Sequence, residues 1–498
     1  MSHLNKKSLV LVAFAAQAAV TWLAPLPALG QTSGLFGRSQ TIDSLGRNVT
    51  GTQNHGLRGG FEPGEEISRL DDEDTDRRRR EEDGQISGNS QGEDAILLPD
   101  AENTAIQATR RRERSDEAEE DPFAPLGIRA GSFLLFPELS TESVYSDNIF
   151  LSSSNREDDW ALEFTPRLTA RSDWSRHSLI GTISAVRSYY ERFESENEET
   201  FSAAVTGQID IRRNTNLVMQ ASYSQNLGDR SDTDFPSDSS ERSQERNHGL
   251  SLEGNHTFNR VTLTLRGEIS DEDFEDGVRN DGTIINNDDR DFTERRLTGR
   301  AGYEFQPGVT AFVEASTNER NFAERIDDNG TINGSSGYDV QGGLSFQLTG
   351  KLTGEASAGY ALQTPDDAAL SDVDGLIFNA GLEWQASGLT TLRFDASSTV
   401  AETTQTGSAG SVVRAAEVSI EHRPRRNIVL GARVEFEREE FSGSSGEDDE
   451  WRFGLTGEYN FTRSIAMTLA YEHLKSTSSS PGSDYNENEI RLGMRVRR

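Results

Sequence analysis

The chain has 498 residues, no cysteine and a formal net charge of −34, and only 33% of its residues are hydrophobic. Beyond the N-terminus no window approaches the roughly 20 apolar residues that a membrane helix requires, and the apolar fraction lies well below the roughly 45–50% of ordinary soluble domains. What remains is disorder, or a barrel whose strands carry apolar residues only at alternate positions, and the pattern along the chain decides between them.

Residues 1–30 read as a secretory leader. Lys6 and Lys7 give a basic start, an apolar run follows from Leu9 to Ala24, and Ala28-Leu29-Gly30 supplies small residues at a cleavage site. As a membrane anchor the run is short, broken by Gln17 and ended by Pro25 and Pro27. Without cysteine there is neither a lipid-modified anchor nor a disulfide framework.

Residues 31–121 form a second region. Asp71-Asp72-Glu73-Asp74 precedes four arginines, Arg77 to Arg80, and then Glu81-Glu82-Asp83; a mixed block runs from Arg110 to Glu120. Such a stretch cannot bury enough apolar surface to offset the entropy of ordering, so the expectation is a disordered periplasmic segment and not a folded plug. Each arginine block is flanked by equal or greater acidic charge, which makes a solvated polyampholyte the expectation over a polyanion-binding tail, and no nucleic-acid partner is expected.

From Gly131 apolar residues alternate strictly with polar ones. Phe201, Ala203, Val205, Gly207, Ile209 and Ile211 form one such set; Val261, Leu263, Leu265, Gly267 and Ile269 form another. Near the C-terminus come Trp451, Phe453, Leu455, Gly457, Tyr459 and Phe461, then Ile465, Met467, Leu469 and Tyr471, and last Ile490, Leu492, Met494 and Val496. This is the period of two that strands require. Tight turns around Ser175, Asn214, Asn259, Pro307, Gly350, Gly388, Arg425 and Arg463 alternate with long acidic connections such as Gly228 to Arg246, Ser270 to Arg290, Ala323 to Ser336 and Gly443 to Glu450. Short periplasmic turns and longer external loops are the layout of an outer-membrane barrel.

The fold expected of residues 122–498 is therefore all-β: a transmembrane antiparallel up-and-down β-barrel of about 18 strands, preceded by the disordered N-terminal segment. The strands are expected to start near Gly131, Trp160, His177, Phe201, Asn216, His248, Val261, Arg296, Val309, Tyr338, Leu352, Leu376, Leu389, Val412, Ile428, Trp451, Ile465 and Glu489. Closure pairs every backbone polar group in hydrocarbon. The apolar face meets lipid, with Trp160, Trp174, Tyr189, Tyr190, Trp384 and Trp451 placed for the interface girdles. The lumen face then carries Glu163, Arg167 and Arg171, Arg393 and Asp395, Arg433, Glu435 and Glu437, Arg452 and Glu458, and Arg491 and Arg495. Charges of both signs cannot be packed dry and unpaired, so the interior is a water-filled channel or a satisfied ion-pair network.

Enzyme chemistry is not expected. The seven histidines are scattered, and neither His248 nor His473 pairs with a nucleophile. Asp327-Asp328-Asn329-Gly330 and Asn287-Asp288-Asp289 lack EF-hand spacing and read as solvated acidic turns, so no metal or other cofactor is expected. Dense external carboxylates can bridge through divalent ions to lipopolysaccharide, which with outer-membrane lipid is an expected partner.

One stretch goes beyond pattern. The run from Asp121 to Phe133, with Gly131-Ser132-Phe133 entering a strand, is followed by Tyr145-Ser146-Asp147-Asn148-Ile149-Phe150 and by Ser172-Asp173-Trp174-Ser175-Arg176-His177-Ser178-Leu179. This resembles the outer-membrane β-barrel porin family of proteobacteria that often accompanies exopolysaccharide gene clusters. The resemblance covers Pro122 to the C-terminus. It implies export of a polysaccharide substrate across the outer membrane, with a periplasmic polysaccharide-export protein that lacks its own outer-membrane span as partner. A general diffusion porin for small solutes and a structural or adhesive surface barrel are the alternatives. The chain departs from many outer-membrane barrels in ending with Val496-Arg497-Arg498 where an aromatic residue serves assembly.

Overall fold

The computed structural model describes residues 122–498 apart from 229, 231–238, 241, 328–329, 349, 402–409, 444–445 and 481, together with two short paired strands, Ser39–Ile42 and Asn48–Gly51. The expected leader, 1–30, and most of the expected charged segment, 31–121, lie outside the described residues.

Residues 133–497 form one closed barrel of eighteen antiparallel strands. In chain order they are β1 Phe133–Ser146, β2 Asp159–Ser172, β3 Ser178–Tyr190, β4 Glu199–Arg212, β5 Thr215–Leu227, β6 Gln244–Phe258, β7 Val261–Phe274, β8 Phe292–Gln306 and β9 Val309–Phe322. The second half is β10 Ser335–Leu348, β11 Leu352–Pro365, β12 Val373–Ser387, β13 Thr390–Ala401, β14 Ser411–Arg425, β15 Ile428–Phe441, β16 Glu447–Thr462, β17 Ile465–Ser478 and β18 Tyr485–Arg497. Every strand pairs with its sequence neighbours, and β18 pairs with β1 from Glu489↔Ser146 to Arg497↔Glu138, which closes the ring. Among the described residues no helix is long and apolar enough to cross a membrane.

The side chains follow the pleat. Leu250 and Leu252, Leu263 and Leu265, Leu455, Leu469 and Leu492 all lie on the outside and are exposed, while their sequence neighbours Ser251, Thr264, Thr468 and Arg491 are buried. A soluble protein would not expose so continuous an apolar band; hydrocarbon solvates it. Trp160, Tyr189, Trp384 and Trp451 are on this outer face. Trp174 lies in a periplasmic turn, and Tyr190 takes the opposite parity to Tyr189, so it is not part of the girdle.

The short connections are as expected, but four of the long ones are shorter than the sequence suggests. Gln244–Arg246, Ser270–Phe274, Ser335–Ser336 and Glu447–Glu450 are strand, not loop. Above the bilayer the ladder continues without apolar alternation, so the pattern that reveals the strand stops before the hydrogen bonds do.

The outer face generates a direct test. Leu252→Arg and Leu455→Arg place a charge in lipid, at a cost of about 2–4 kcal/mol near the bilayer midplane. Both lower the yield of folded, heat-modifiable barrel in isolated outer membranes. Ser224→Arg, on the inner face of β5, leaves that yield near wild type. Equal losses at the three positions contradict the assignment of faces.

Candidate functional site

The candidate site is the inner wall. All twelve charged residues expected there occupy inward positions: Glu163, Arg167 and Arg171 on β2, Arg393 and Asp395 on β13, Arg433, Glu435 and Glu437 on β15, Arg452 and Glu458 on β16, Arg491 and Arg495 on β18. They are not independent charges. Arg393 pairs with Glu383 at 3.3 Å, Arg452 with Glu450 at 2.6 Å, Arg433 with Glu472, and Arg171 lies 5.4 Å from the centroid of the Phe136 ring. Sequence reasoning missed a second set on β8–β11. There Arg300 donates to Glu355 at 2.6 Å and lies over the Phe312 ring at 3.3 Å, and Arg320 donates to Glu294 at 2.9 Å. The same alternation marks these residues; nothing in the sequence says which acid each arginine meets.

The densest cluster lies at the closing seam. Arg491 on β18 donates to Glu489 at 2.6 Å and to Glu163 on β2 at 3.0 Å, and lies 3.6 Å from Glu142 on β1. Arg495 donates to Glu458 on β16 at 2.9 Å and lies 3.6 Å from Glu138 on β1. Gly493 faces Glu142 across the seam, and a Cβ there would meet Glu142 Cγ at 2.7 Å. The missing side chain lets Glu142 reach over β18 and accept from Thr468 Oγ1 on β17 at 3.0 Å. The first strand is thus acidic inside, the last brings Arg491 and Arg495 alongside its own Glu487 and Glu489, and one carboxylate, Glu142, spans the seam.

β3–β5 differ. Apart from the last residues beside the β4–β5 turn, no inward position of these strands is charged. The row contains Ser184, Ser188, Thr200, Ser202, Thr206, Gln208, Gln220 and Ser222. The groups pair with one another: Ser184 and Ser202 hydroxyls are 3.0 Å apart, and Ser251 on β6 donates to Gln220 Oε1 at 3.3 Å.

At the outer end of β12–β13 the wall doubles. Their pairing runs from Ser387↔Thr390 only to Asn379↔Ser397; the outer halves separate. Val373 and Ile377 on β12 and Ala361 on β11 are inward by parity, Val400 on β13 and Val412 on β14 outward, yet all five pack in one buried cluster. That contact sets Val400 and Val412 against the inner side of β11–β12, while β14 stays paired with β15 as far as Ser411↔Phe441.

At the periplasmic rim the two motifs that carry the family resemblance dock on each other. Trp174 Nε1 donates to Ser132 Oγ at 3.1 Å, its ring meets Phe133 edge-on at 5.5 Å, and Arg129 pairs with Asp173 at 2.6 Å. Arg176 donates to the Asp210 and Ile211 carbonyls at 3.0 and 2.9 Å. The turn therefore fastens the entering chain to β1, β2 and the end of β4.

Outside, acidic residues bond loop amides: Asp367 accepts from Ala369 in its own loop at 2.8 Å and from Ile332 of the β9–β10 loop at 2.9 Å, and Asp327 accepts from Thr331 at 2.7 Å. No group of acidic and histidine residues arranged to hold a metal occurs among the described residues. Asp291, between the β7–β8 loop and β8, has its carboxyl pushed up to about 6 by burial, with Asp273, Asp288 and Asp271 adding to the rise against the Phe274 amide bond.

A family model described as "Putative beta-barrel porin 2" matches residues 121–498. No curated protein matches the chain. Among solved structures, the Pseudomonas aeruginosa outer-membrane protein OpdK is 12% identical over 73% of this chain and 99% of its own, with a TM-score of 0.38. OccK3 (OpdO) of the same organism is 12% identical over 76% and 97%, with a TM-score of 0.39. The ferric citrate transporter FecA is 10% identical over 72% and 61%, with a TM-score of 0.39.

Two outcomes follow from this geometry. Arg491→Leu leaves three buried carboxylates around an apolar side chain; breaking a buried ion pair costs about 3–5 kcal/mol. The temperature at which the folded gel band converts to the unfolded one falls clearly, and Arg491→Lys falls less; an unchanged transition in Arg491→Leu removes the seam cluster from the closing interactions. For Asp291 the folded pKa, about 6, exceeds the ordinary value of 3.8, so its contribution is complete below the unfolded pKa and is lost as pH rises through about 6. The protection of amides in residues 275–291, taken relative to their intrinsic exchange rates, falls from about pH 4 to about pH 7, and Asp291→Asn flattens that dependence.

Proposed function

The chain belongs to the putative beta-barrel porin 2 family, whose model spans residues 121–498, and from that premise we propose that this outer-membrane channel is the conduit through which an exopolysaccharide leaves a Gram-negative cell. The observation that carries the reading is the uncharged wall of β3–β5. A long polyhydroxylated polymer must slide past the wall by many weak, exchangeable hydrogen bonds. The Ser, Thr and Gln rows of those strands carry no fixed charge to trap the polymer or demand a counterion; most are buried against one another, so in this reading the polymer exchanges its hydroxyls for those contacts. On the remaining strands the arginines are neutralised by their own carboxylates, so they too leave few unpaired charges for a small ionic solute.

In this reading a periplasmic polysaccharide-export protein delivers the polymer to the rim where the Gly131-Ser132-Phe133 entry and the Ser172–His177 turn meet. A specific observation favours a second reading. The paired, buried inward charges also suit a surface barrel with a closed lumen, which would conduct no ions.

Deletion of the gene abolishes secreted or surface polymer while growth on small sugars stays normal. Unchanged polymer with slowed uptake of small solutes replaces export with a diffusion porin. A purified barrel silent in planar bilayers replaces both with the surface barrel.

A further inference from the structure

We propose that the periplasmic edge of the barrel, on either side of the closing seam, is a docking surface for the phosphate headgroups of anionic phospholipid in the inner leaflet of the outer membrane. The inference rests on the outer-membrane location of the barrel and is independent of the cargo.

The net charge of −34 conceals a polarity. The long connections at the outer end are acidic, and the tight turns at the other end are basic. Arg212 and Arg213 stand at the β4–β5 turn, Arg260 at β6–β7, Arg425 and Arg426 at β14–β15, and Arg463 at β16–β17, all of them exposed. The carboxylates nearest this edge are engaged elsewhere: Asp173 pairs with Arg129, Glu421 with Arg423 at 2.7 Å, and Glu304 accepts from the Gly308 amide at 3.1 Å. Among the described residues no ion pair reaches Arg212, Arg213, Arg260, Arg425 or Arg426.

The cations form an arc, not a full ring. The β8–β9 turn, Gln306-Pro307-Gly308, and the β12–β13 turn at Ser387-Gly388 carry none, and the β10–β11 turn has Lys351 alone. The basic stretch runs from β14 through the seam to β7. Its turns are tied to one another. Asn214 accepts from the Thr257 amide and donates through its side chain to the Thr257 carbonyl, both at 2.9 Å, which fastens the β4–β5 turn to the end of β6. The Asn427 carbonyl accepts from the Asn460 amide at 2.9 Å, and the Ser464 carbonyl from the Arg497 amide at 3.0 Å. The adjacent like charges Arg212-Arg213 and Arg425-Arg426 are thus carried on a fixed edge, and a counterion from outside the described chain relieves their mutual repulsion.

The level of the arc decides what that counterion is. Ile211, Phe258, Phe461 and Val496 are exposed on the lipid face, and each precedes a basic residue by one or two positions. At about 3.3 Å of rise per strand residue, the arginines lie about 3–7 Å beyond the hydrocarbon edge. That is inside a headgroup layer roughly 5–7 Å deep on each side of the core. Two-residue turns are too short to lift them past that layer toward a soluble partner, and the anions within it are lipid phosphates. The choice of cation agrees. Every basic residue of the arc's turns is arginine, whose planar fork meets a phosphate through two parallel hydrogen bonds, whereas Lys351 lies off the arc.

The test uses the full-length mature protein in vesicles of phosphatidylcholine alone and of phosphatidylcholine mixed with phosphatidylglycerol. The readout is the temperature at which the folded gel band converts to the unfolded one. Phosphatidylglycerol raises that temperature by several degrees in the wild type. Arg212→Gln, Arg213→Gln, Arg425→Gln and Arg426→Gln combined abolish the rise, while Arg212→Lys, Arg213→Lys, Arg425→Lys and Arg426→Lys combined keep part of it. Arg156→Gln with Arg325→Gln, exposed on external loops, leaves the rise intact. Native mass spectra of protein extracted in neutral detergent give a second reading: the wild type retains several-fold more phosphatidylglycerol than the four-glutamine variant. Arg425→Gln with Arg426→Gln already lowers that amount, so the outcome does not hang on the folding of the larger variant. No rise in the wild type, or an equal rise and equal retained lipid in the four-glutamine variant, overturns the docking surface. Stabilisation of the wild type by soluble polyglutamate but not by phosphatidylglycerol also overturns it and assigns the edge to an acidic periplasmic protein.

Discussion

The structure depends on one constraint: inside hydrocarbon no backbone N–H or C=O can go unpaired. Eighteen strands satisfy it by closing on themselves, with β18 against β1. Closure joins strands more than 300 residues apart in sequence, so it cannot be specified by a local turn. The inner face supplies what local sequence lacks. Arg491 and Arg495 on the last strand meet Glu138, Glu142 and Glu163 on the first two, and Gly493 leaves the space through which Glu142 crosses to Thr468. A slip of one residue would turn these charges toward lipid. Arg497 belongs to the same interaction: it reaches Glu458 at 3.6 Å and donates to Asn460 at 2.7 Å.

Closure also produces the interior chemistry. Because the outer face is committed to apolar residues, every second side chain is free to be polar. Burying a charge costs several kcal/mol unless it is paired, and the arginines of the inner wall meet carboxylates from neighbouring strands. Pairing of this kind fixes the wall while removing much of its electrostatic selectivity. β3 to β5 are the part of the wall that, away from the β4–β5 turn, relies on neutral hydrogen-bonding groups in place of ion pairs.

Much of this was legible in the sequence, for a physical reason. The period of two is imposed by lipid on one side, so it gave the class, the number of strands and the inward positions of Glu163, Arg433 and Arg491 alike. Where lipid ends, so does the signal. β6, β8, β10, β12, β16 and β18 enter from outside, and each begins three or four residues before its pattern does: Gln244 against His248, Phe292 against Arg296, Glu447 against Trp451. The pairs themselves were not legible. Arg300 meets Glu355 two strands beyond its paired neighbour β9, through a side-chain reach that alternation does not encode.

The β13–β14 hairpin shows the converse, a place where the pattern itself is broken and the break carries information. Thr399-Val400 and Val412-Val413 put apolar or β-branched residues on both faces of paired strands, and β12 places Val373 and Ile377 toward the lumen. Read as a single-walled barrel, these are errors on three strands at once. Read as two layers, they are the two sides of one contact, and each residue again obeys the rule that apolar surface is buried. A barrel wall one strand thick has no continuous core, because lipid lies outside and mostly polar groups lie inside. Two apolar clusters nevertheless form: Phe274, Phe292 and Phe322 meet at the outer ends of the paired strands β7 to β9, and Ala361, Val373, Ile377, Val400 and Val412 meet at the β12–β13 junction, where the ladder is cut short at Asn379 and Ser397.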